Sequence, residues 1–260
     1  MNLKSLIAAF SSLAAALVIT ASPANAYVHA DNPDRIFTYS NGWYNIPMAQ
    51  APDRSETVTL CKSIIGQQYK SVGVYIIDGV YTYDTESGYL SCLSPDGYNT
   101  LNSIEQECDL WLQDHMQQIV PQGTPVADVP MVCASAVADM MTYDLAALTD
   151  INLRRSYQSA LPCFRYGTGV CSTYAYAFNA MVSYAPYDAA TGQVDYTAGS
   201  PEHLCTGFVA NSSHAWSAVM YPDGWHYYDV CYFDTSHDPV YLNHAGDIWH
   251  DGDHECGTVI

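Results

Sequence analysis

The chain has 260 residues, with Lys+Arg 8 against Asp+Glu 27 and a formal net charge of −19. A surface that acidic repels nucleic acid and anionic lipid, which sets both aside as partners. The length is enough for one sizeable domain once a leader is removed.

Residues 1–26 read as a secretory signal. Lys4 gives a short basic start, Leu6 to Ile19 is an apolar run, and Ala24-Asn25-Ala26 has the small-x-small form of a cleavage site. That run is short for a bilayer span, and no longer one follows, so no membrane span is expected after cleavage. The expected location is outside the cell or in its envelope. The expected division is 1–26 signal peptide, 27–100 loop- and strand-rich extension, and 101–260 catalytic domain.

Residues 27–60 are rich in Pro, Asn and Asp and read as a loop-rich lead-in. Val72 to Ile77 and Val80 to Tyr83 read as strands around the Asp78-Gly79 turn signal. Residues 84–100 read as loop. Ile104, Cys108, Trp111, Leu112, Met116 and Ile119 fall at helical spacing, and Pro121 ends that helix. A second helix fits Val126 to about Tyr143, extending toward Leu148. Ser156 to Thr168 reads as a turn-rich approach to a third helix. There Cys171, Tyr174, Ala175, Phe178, Met181, Val182 and Ala185 lie along one face.

Cys171 opens that third helix, after Gly167 and Gly169. Backbone N–H groups at a helix start point at the sulfur and favour negative charge there, which depresses a thiol pKa. A thiol attacks a carbonyl as thiolate, so it needs a proton acceptor held in one tautomer. The candidates are His214 and Asp229, giving the chain order Cys171, His214, Asp229. The stretch from His214 to Val219 alternates as a strand, and so does Trp225 to Cys231. A turn centred on Asp223-Gly224 would pair Ala218 with Asp229. It puts His214 and Asp229 on one face but four residues apart along the sheet.

Nine cysteines are many for an exported chain and point to disulfides. If Cys171 stays free, Cys61, Cys92, Cys108, Cys133, Cys163, Cys205, Cys231 and Cys256 remain, and their pairing is open. No C-x-x-C pair exists, and no metal or cofactor is expected. The tail holds His237, Asp238, His244, Asp247, His250, Asp251, Asp253 and His254 and reads as solvated and acidic. Asn211-Ser212-Ser213 matches a glycosylation sequon, expected to be unused so close to His214. His226, on the strand face opposite Asp229, reads as structural. The 22 tyrosines read as core and strand filler, or as an aromatic peptide-binding surface.

The chain resembles the transglutaminase-like superfamily over roughly residues 125–240. The resemblance rests on Tyr157-Gln158-Ser159-Ala160-Leu161, Gly169-Val170-Cys171, Tyr174-Ala175, His214-Ala215-Trp216, Gly224-Trp225 and Asp229. Thr173 stands where the family usually has Gly, and Cys231 lies close after Asp229. The resemblance implies an α+β, papain-like core: the nucleophile at the start of a helix packed on an antiparallel sheet that carries the His and the Asp. It implies a secreted bacterial enzyme acting on peptide or glutamine carboxamide bonds through a thioester. Its substrate would be a protein or peptide, and its acceptor water or an amine. The alternative is a binding module that keeps the fold without the chemistry.

Overall fold

The computed structural model describes the backbone of residues 26–29, 32–40, 43–47, 69–73, 81–84, 89–92, 95–245, 253–254 and 258–259, and side chains within 69–73, 99–245 and 253–254. It is mixed α+β with antiparallel sheets. The chain divides into two units, one formed by Met1–Ile65 with Ile77–Leu101 and the other by Gly66–Ile76 with Asn102–Ile260.

In the first unit, strands β1 (Ala26–His29), β2 (Asn32–Ser40), β3 (Trp43–Pro47), β4 (Tyr81–Asp84) and β5 (Tyr89–Cys92) form one antiparallel sheet in the order β1-β2-β3-β5-β4. This corrects the loop reading where the described residues fall in it, at Asn32–Ser40, Trp43–Pro47 and Tyr89–Cys92. Asn32, Pro33 and Asp34 crowd the start of β2 and disguise Ile36-Phe37-Thr38-Tyr39, whose β-branched and aromatic residues favour extended chain. The Asp78-Gly79 turn lies outside the described residues. Within the second unit, Val72 forms a bridge to Ser159.

Helix α1 (Pro95–Ile119) starts seven residues before the expected Asn102. Pro95 and Gly97 look like helix breakers, but proline at the first helical position gives up an N–H that has no partner there anyway. Cys108, Leu112 and Met116 form its buried stripe. The next helix is shorter than expected. After a 3₁₀ turn at Val126–Asp128, α2 covers Val129–Met140 and stops where Met141 becomes extended. Strand β6 (Thr142–Tyr143) and a second 3₁₀ turn (Leu145–Leu148) follow. The stretch read as turns also holds helices, α3 (Ile151–Ser156) and α4 (Leu161–Tyr166). They lead into β7 (Thr168–Gly169), which pairs in parallel with β6.

Helix α5 (Cys171–Tyr184) has the expected bounds to within a residue and forms the centre of the core. Ala177, Phe178, Ala180, Met181 and Val182 on it are all buried. It packs against α2 and against strands β11 (Thr206–Ala210) and β12 (Ala215–Tyr221). Before these strands come β8 (Pro186–Asp188), β9 (Gln193–Val194) and β10 (Glu202–His203), a small separate sheet. After them come β13 (Gly224–Tyr228), α6 (Val230–Ser236), β14 (His244–Ala245) and β15 (Thr258–Val259). The main sheet has the antiparallel order β14-β13-β12-β11-β15. Phe178 stacks on Tyr228 of β13 at 5.1 Å, and Ser217 of β12 donates to the Ala175 carbonyl at 3.3 Å. Together these contacts lock the helix onto the sheet.

The start of α5 is fixed from below. Thr173 is fully buried, and its hydroxyl donates to the Tyr157 carbonyl at 2.7 Å and accepts from the Val170 N–H at 3.3 Å. A Cβ on Gly169 would lie 2.4 Å from Thr173 Oγ1 and 2.5 Å from its Cβ. So Thr173 requires the glycine at 169. Gly169→Ala should destabilise the protein by about 1–3 kcal/mol through overpacking. In a Gly169→Ala/Thr173→Gly double mutant the two costs should be clearly sub-additive. Urea midpoints of the four proteins test this, and strict additivity would show that the two side chains do not compete for space.

Candidate functional site

The hairpin of β12 and β13 sets the register of the site. Tyr221 pairs with Gly224 and Ala218 with Tyr227, so the connecting loop is Pro222-Asp223. The expected centre on Asp223-Gly224 is corrected by one residue, because Gly224, at φ 128°, already belongs to β13. The new register brings His214 and Asp229 closer than expected. Continuing it past Ser217↔Tyr228 sets Trp216 against Asp229, with His214 two residues further along the same face. Diagonal neighbours across a sheet are within reach of long side chains.

Neither residue lies within a strand. His214 immediately precedes β12, where Asn211 holds it: Asn211 Oδ1 accepts the N–H of Ser213 at 2.9 Å and of His214 at 2.8 Å. The amide nitrogen of Asn211 donates to the Asp253 carbonyl at 2.7 Å. The sequon thus marks an Asx turn that presents the histidine, a role its sequence pattern did not disclose. On the other side, the strand expected over Trp225 to Cys231 ends at Tyr228. Asp229 is the N-cap of α6, its Oδ1 accepting from the Tyr232 N–H at 3.0 Å. A carboxylate at a helix start is stabilised by the unpaired N–H groups there.

The two side chains meet. His214 Nε2 donates to Asp229 Oδ2 at 2.6 Å, with Asp229 fully buried. Cys171 opens α5, and its sulfur is near enough to raise the pKa of the same imidazole. Cys171 is partly exposed, so solvent and reagents reach it.

Protonation follows from these neighbours. Burial works against a charged His214, but its hydrogen bond to Asp229, then the influence of Cys171, outweigh it and push its pKa up to about 10. Asp229 is likewise opposed by burial, yet its bonds from His214 and then His254 hold it below the usual carboxylate range. At neutral pH the pair is therefore an imidazolium and a carboxylate.

The structure adds a residue that sequence reasoning assigned to a solvated tail. His254 is completely buried, and its Nε2 donates to the same Asp229 oxygen at 2.8 Å. Its ring stands edge-on to Trp216 at 5.0 Å and to Tyr232 at 5.3 Å. The adjoining Asp253 accepts from the Tyr232 hydroxyl at 2.5 Å. His214 Nε2, Asp229 Oδ2 and His254 Nε2 lie within 4.8 Å of one another, a donor set that could hold a metal ion. The two N···O separations are nevertheless those of charge-assisted hydrogen bonds. Neighbouring ligands on one tetrahedral ion with bonds of about 2.0–2.1 Å would stand roughly 3.3 Å apart.

The other candidates fall away from this centre. His226 bonds to Asn243 at 2.7 Å and to Asp223 at 3.0 Å. His237 closes α6 in a left-handed conformation, and Asp238 caps a 3₁₀ turn at Pro239–Tyr241. Asp247, His250 and Asp251 lie outside the described residues. Tyr174 and Tyr228 are core residues, while the Tyr232 ring stacks on His214 at 4.8 Å. The expected disulfide framework is corrected among the described residues. Cys108, Cys133, Cys163, Cys171, Cys205 and Cys231 are all unpaired. Cys108, Cys133, Cys163 and Cys231 are buried as small apolar residues, and burial raises each thiol pKa well above its ordinary value. The side chains of Cys61, Cys92 and Cys256 lie outside the described residues. No helix among those residues is long and apolar enough to cross a membrane.

No family model matches the sequence, and no curated protein does. Among solved structures the chain is similar to one described as "Crystal structure of a TGase", at 16% identity and a TM-score of 0.36. The match covers 63% of this chain and 44% of that one, so it spans less than half of that protein. A likeness this remote carries no argument about the chemistry, which rests on the geometry above.

Proposed function

We propose that the protein is a transglutaminase-like cysteine enzyme, acting on peptide or glutamine carboxamide bonds with Cys171 as nucleophile, His214 as acid–base and Asp229 as its orienting carboxylate. The observation that carries this reading is the buried aspartate 2.6 Å from His214 Nε2, on an imidazole whose pKa the Cys171 sulfur also raises. With the proton already held on His214, the sulfur attacks the carboxamide carbon as a thiolate. The C–N bond then breaks as His214 gives its proton to the leaving amine, which leaves a thioester on Cys171. Water, or a second amine, adds to the thioester and gives a proton to His214 as the C–S bond breaks. The first N–H groups of α5 have no acceptor within the helix, and the Cys171 N–H among them suits the developing oxyanion. The reading includes export through the 1–26 leader, which mapping the N-terminus of protein released by its host would check.

The first test uses a reference thiol that the protein itself supplies. Cys205 is exposed and lies outside the site, whereas Cys171 is only partly so. Iodoacetamide at neutral pH should modify Cys171 several-fold faster than Cys205. Equal or slower labelling of Cys171 would mean that the fold serves as a binding module. A glutamine peptide with a labelled amine then separates the two acceptors, since ammonia release without amine incorporation means hydrolysis. Cys171→Ala and His214→Ala should abolish turnover. Asp229→Asn, which keeps an oxygen for the helix cap, should lower it by roughly 10⁴-fold.

The pH dependence follows from His214. Its folded pKa of about 10 lies above the unfolded value of 6.5. Its contribution to stability is therefore complete below pH 6.5 and is lost as pH rises through about 10. Turnover needs the same proton for the leaving amine, so its alkaline limb should also fall near pH 10. Activity and urea midpoints measured from pH 6 to 11 should decline together on that side, and an alkaline limb near 7 would contradict the ion pair.

A further inference from the structure

We propose that His254 is a positioning residue for this reaction: by donating Nε2–H to Asp229 Oδ2, it fixes the carboxylate that orients His214. The inference rests on the catalytic reading above and extends it to a residue some 25 positions beyond Asp229 in the chain.

The argument begins with burial. A fully buried imidazole is costly unless its polar atoms are bonded. If this pocket only needed filling, an apolar ring would suit it, since its walls include the rings of Trp216, Tyr232 and Tyr241. The His254 bond instead ends on Oδ2 at 2.8 Å, the oxygen that holds His214 at 2.6 Å. Oδ1 is occupied by the Tyr232 N–H at 3.0 Å. Three donors therefore define the carboxylate plane. Without His254, Oδ2 has one donor from this set, on a residue that must move a proton in every cycle. The carboxylate could then turn about its Cβ–Cγ bond and carry His214 with it. Supporting partners of this kind are typically worth about 10–100-fold in activity where they orient a metal ligand, and a similar scale is expected here.

The segment that delivers His254 is itself tied to the triad. Asn211, which presents His214, donates to the Asp253 carbonyl at 2.7 Å, and Tyr232, which stacks on His214, donates to the Asp253 carboxylate at 2.5 Å. The ionisable groups around His254 among the described residues include Asp229, His214, Tyr232, Tyr241 and the neighbouring Asp253. Residues 253–254 reach the site from beyond β14, and they bring to it a second imidazole.

The experiment compares the full chain with His254→Phe, which keeps the ring volume, and His254→Gln, which keeps an N–H donor. Three readouts are taken: kcat and KM on a glutamine peptide, the low-field proton resonance of the His214–Asp229 bond, and zinc content. His254→Phe should lower kcat by about 10–100-fold with KM changed less than about twofold, and should weaken or shift the low-field resonance. His254→Gln should recover most of both. An unchanged kcat and resonance in His254→Phe would overturn the proposal. So would a failure of His254→Gln to recover a loss seen with Phe, because packing alone would then be the cause. One equivalent of zinc in the wild type, lost in both variants, would overturn it in favour of a metal centre. Failure of the catalytic reading would show separately, as a wild-type Cys171 that reacts no faster than Cys205, and the resonance would still judge His254.

Discussion

A buried negative charge organises this site. Asp229 is shut away from water, and an isolated carboxylate there would take up a proton. It stays ionised because three donors converge on it, two imidazoles on one oxygen and a helix N–H on the other. Each donor is fixed by a different part of the chain: the Asn211 turn, the segment at 253–254, and the first turn of α6. The charge is therefore also a fastener. It brings three stretches that are distant in sequence to one point, and the point lies beside the start of α5.

The sheet and the central helix turn this charge into a place for chemistry. Phe178 on Tyr228 and Ser217 on the Ala175 carbonyl hold α5 against β12 and β13, so Cys171 is set relative to the ends of both strands. Thr173 pins the same helix start from below through the Tyr157 carbonyl. The sulfur thus belongs to a rigid element, while His214 belongs to a turn held by a side chain. That division suits a mechanism in which the imidazole exchanges protons between two partners and the nucleophile keeps its position.

Much of this was legible in the sequence where periodicity was strong. The α5 stripe from Cys171 onward, the strand character of β12, and the stop before Pro121 all carry local signals. Other features had no such signal. Pro95 and Gly97 look like breakers, yet they lie in the first turn of a long helix. The strands of residues 26–47 are bounded by the residues that usually denote loops. Gly224 reads as turn in the sequence but begins a strand, and that one-residue difference sets how far His214 stands from Asp229. His254 lies in a run of aspartates with no period, and its burial comes from tertiary contact alone. Cysteine number suggested bridges, but a thiol is also a small apolar side chain, and Cys108, Cys133, Cys163 and Cys231 are used as such.

The convergence on Asp229 makes the members of the set unequal in how freely a lineage could discard them. Cys171 is partly exposed at a helix start, and a serine or alanine there would cost the fold little. Asp229 cannot go so easily, since its loss strands the buried His254 and the part-buried His214 and uncaps α6. Drift away from chemistry should therefore erase the sulfur first. A descendant that had become inert would still carry the aspartate and both histidines as fossils of the trade it had given up.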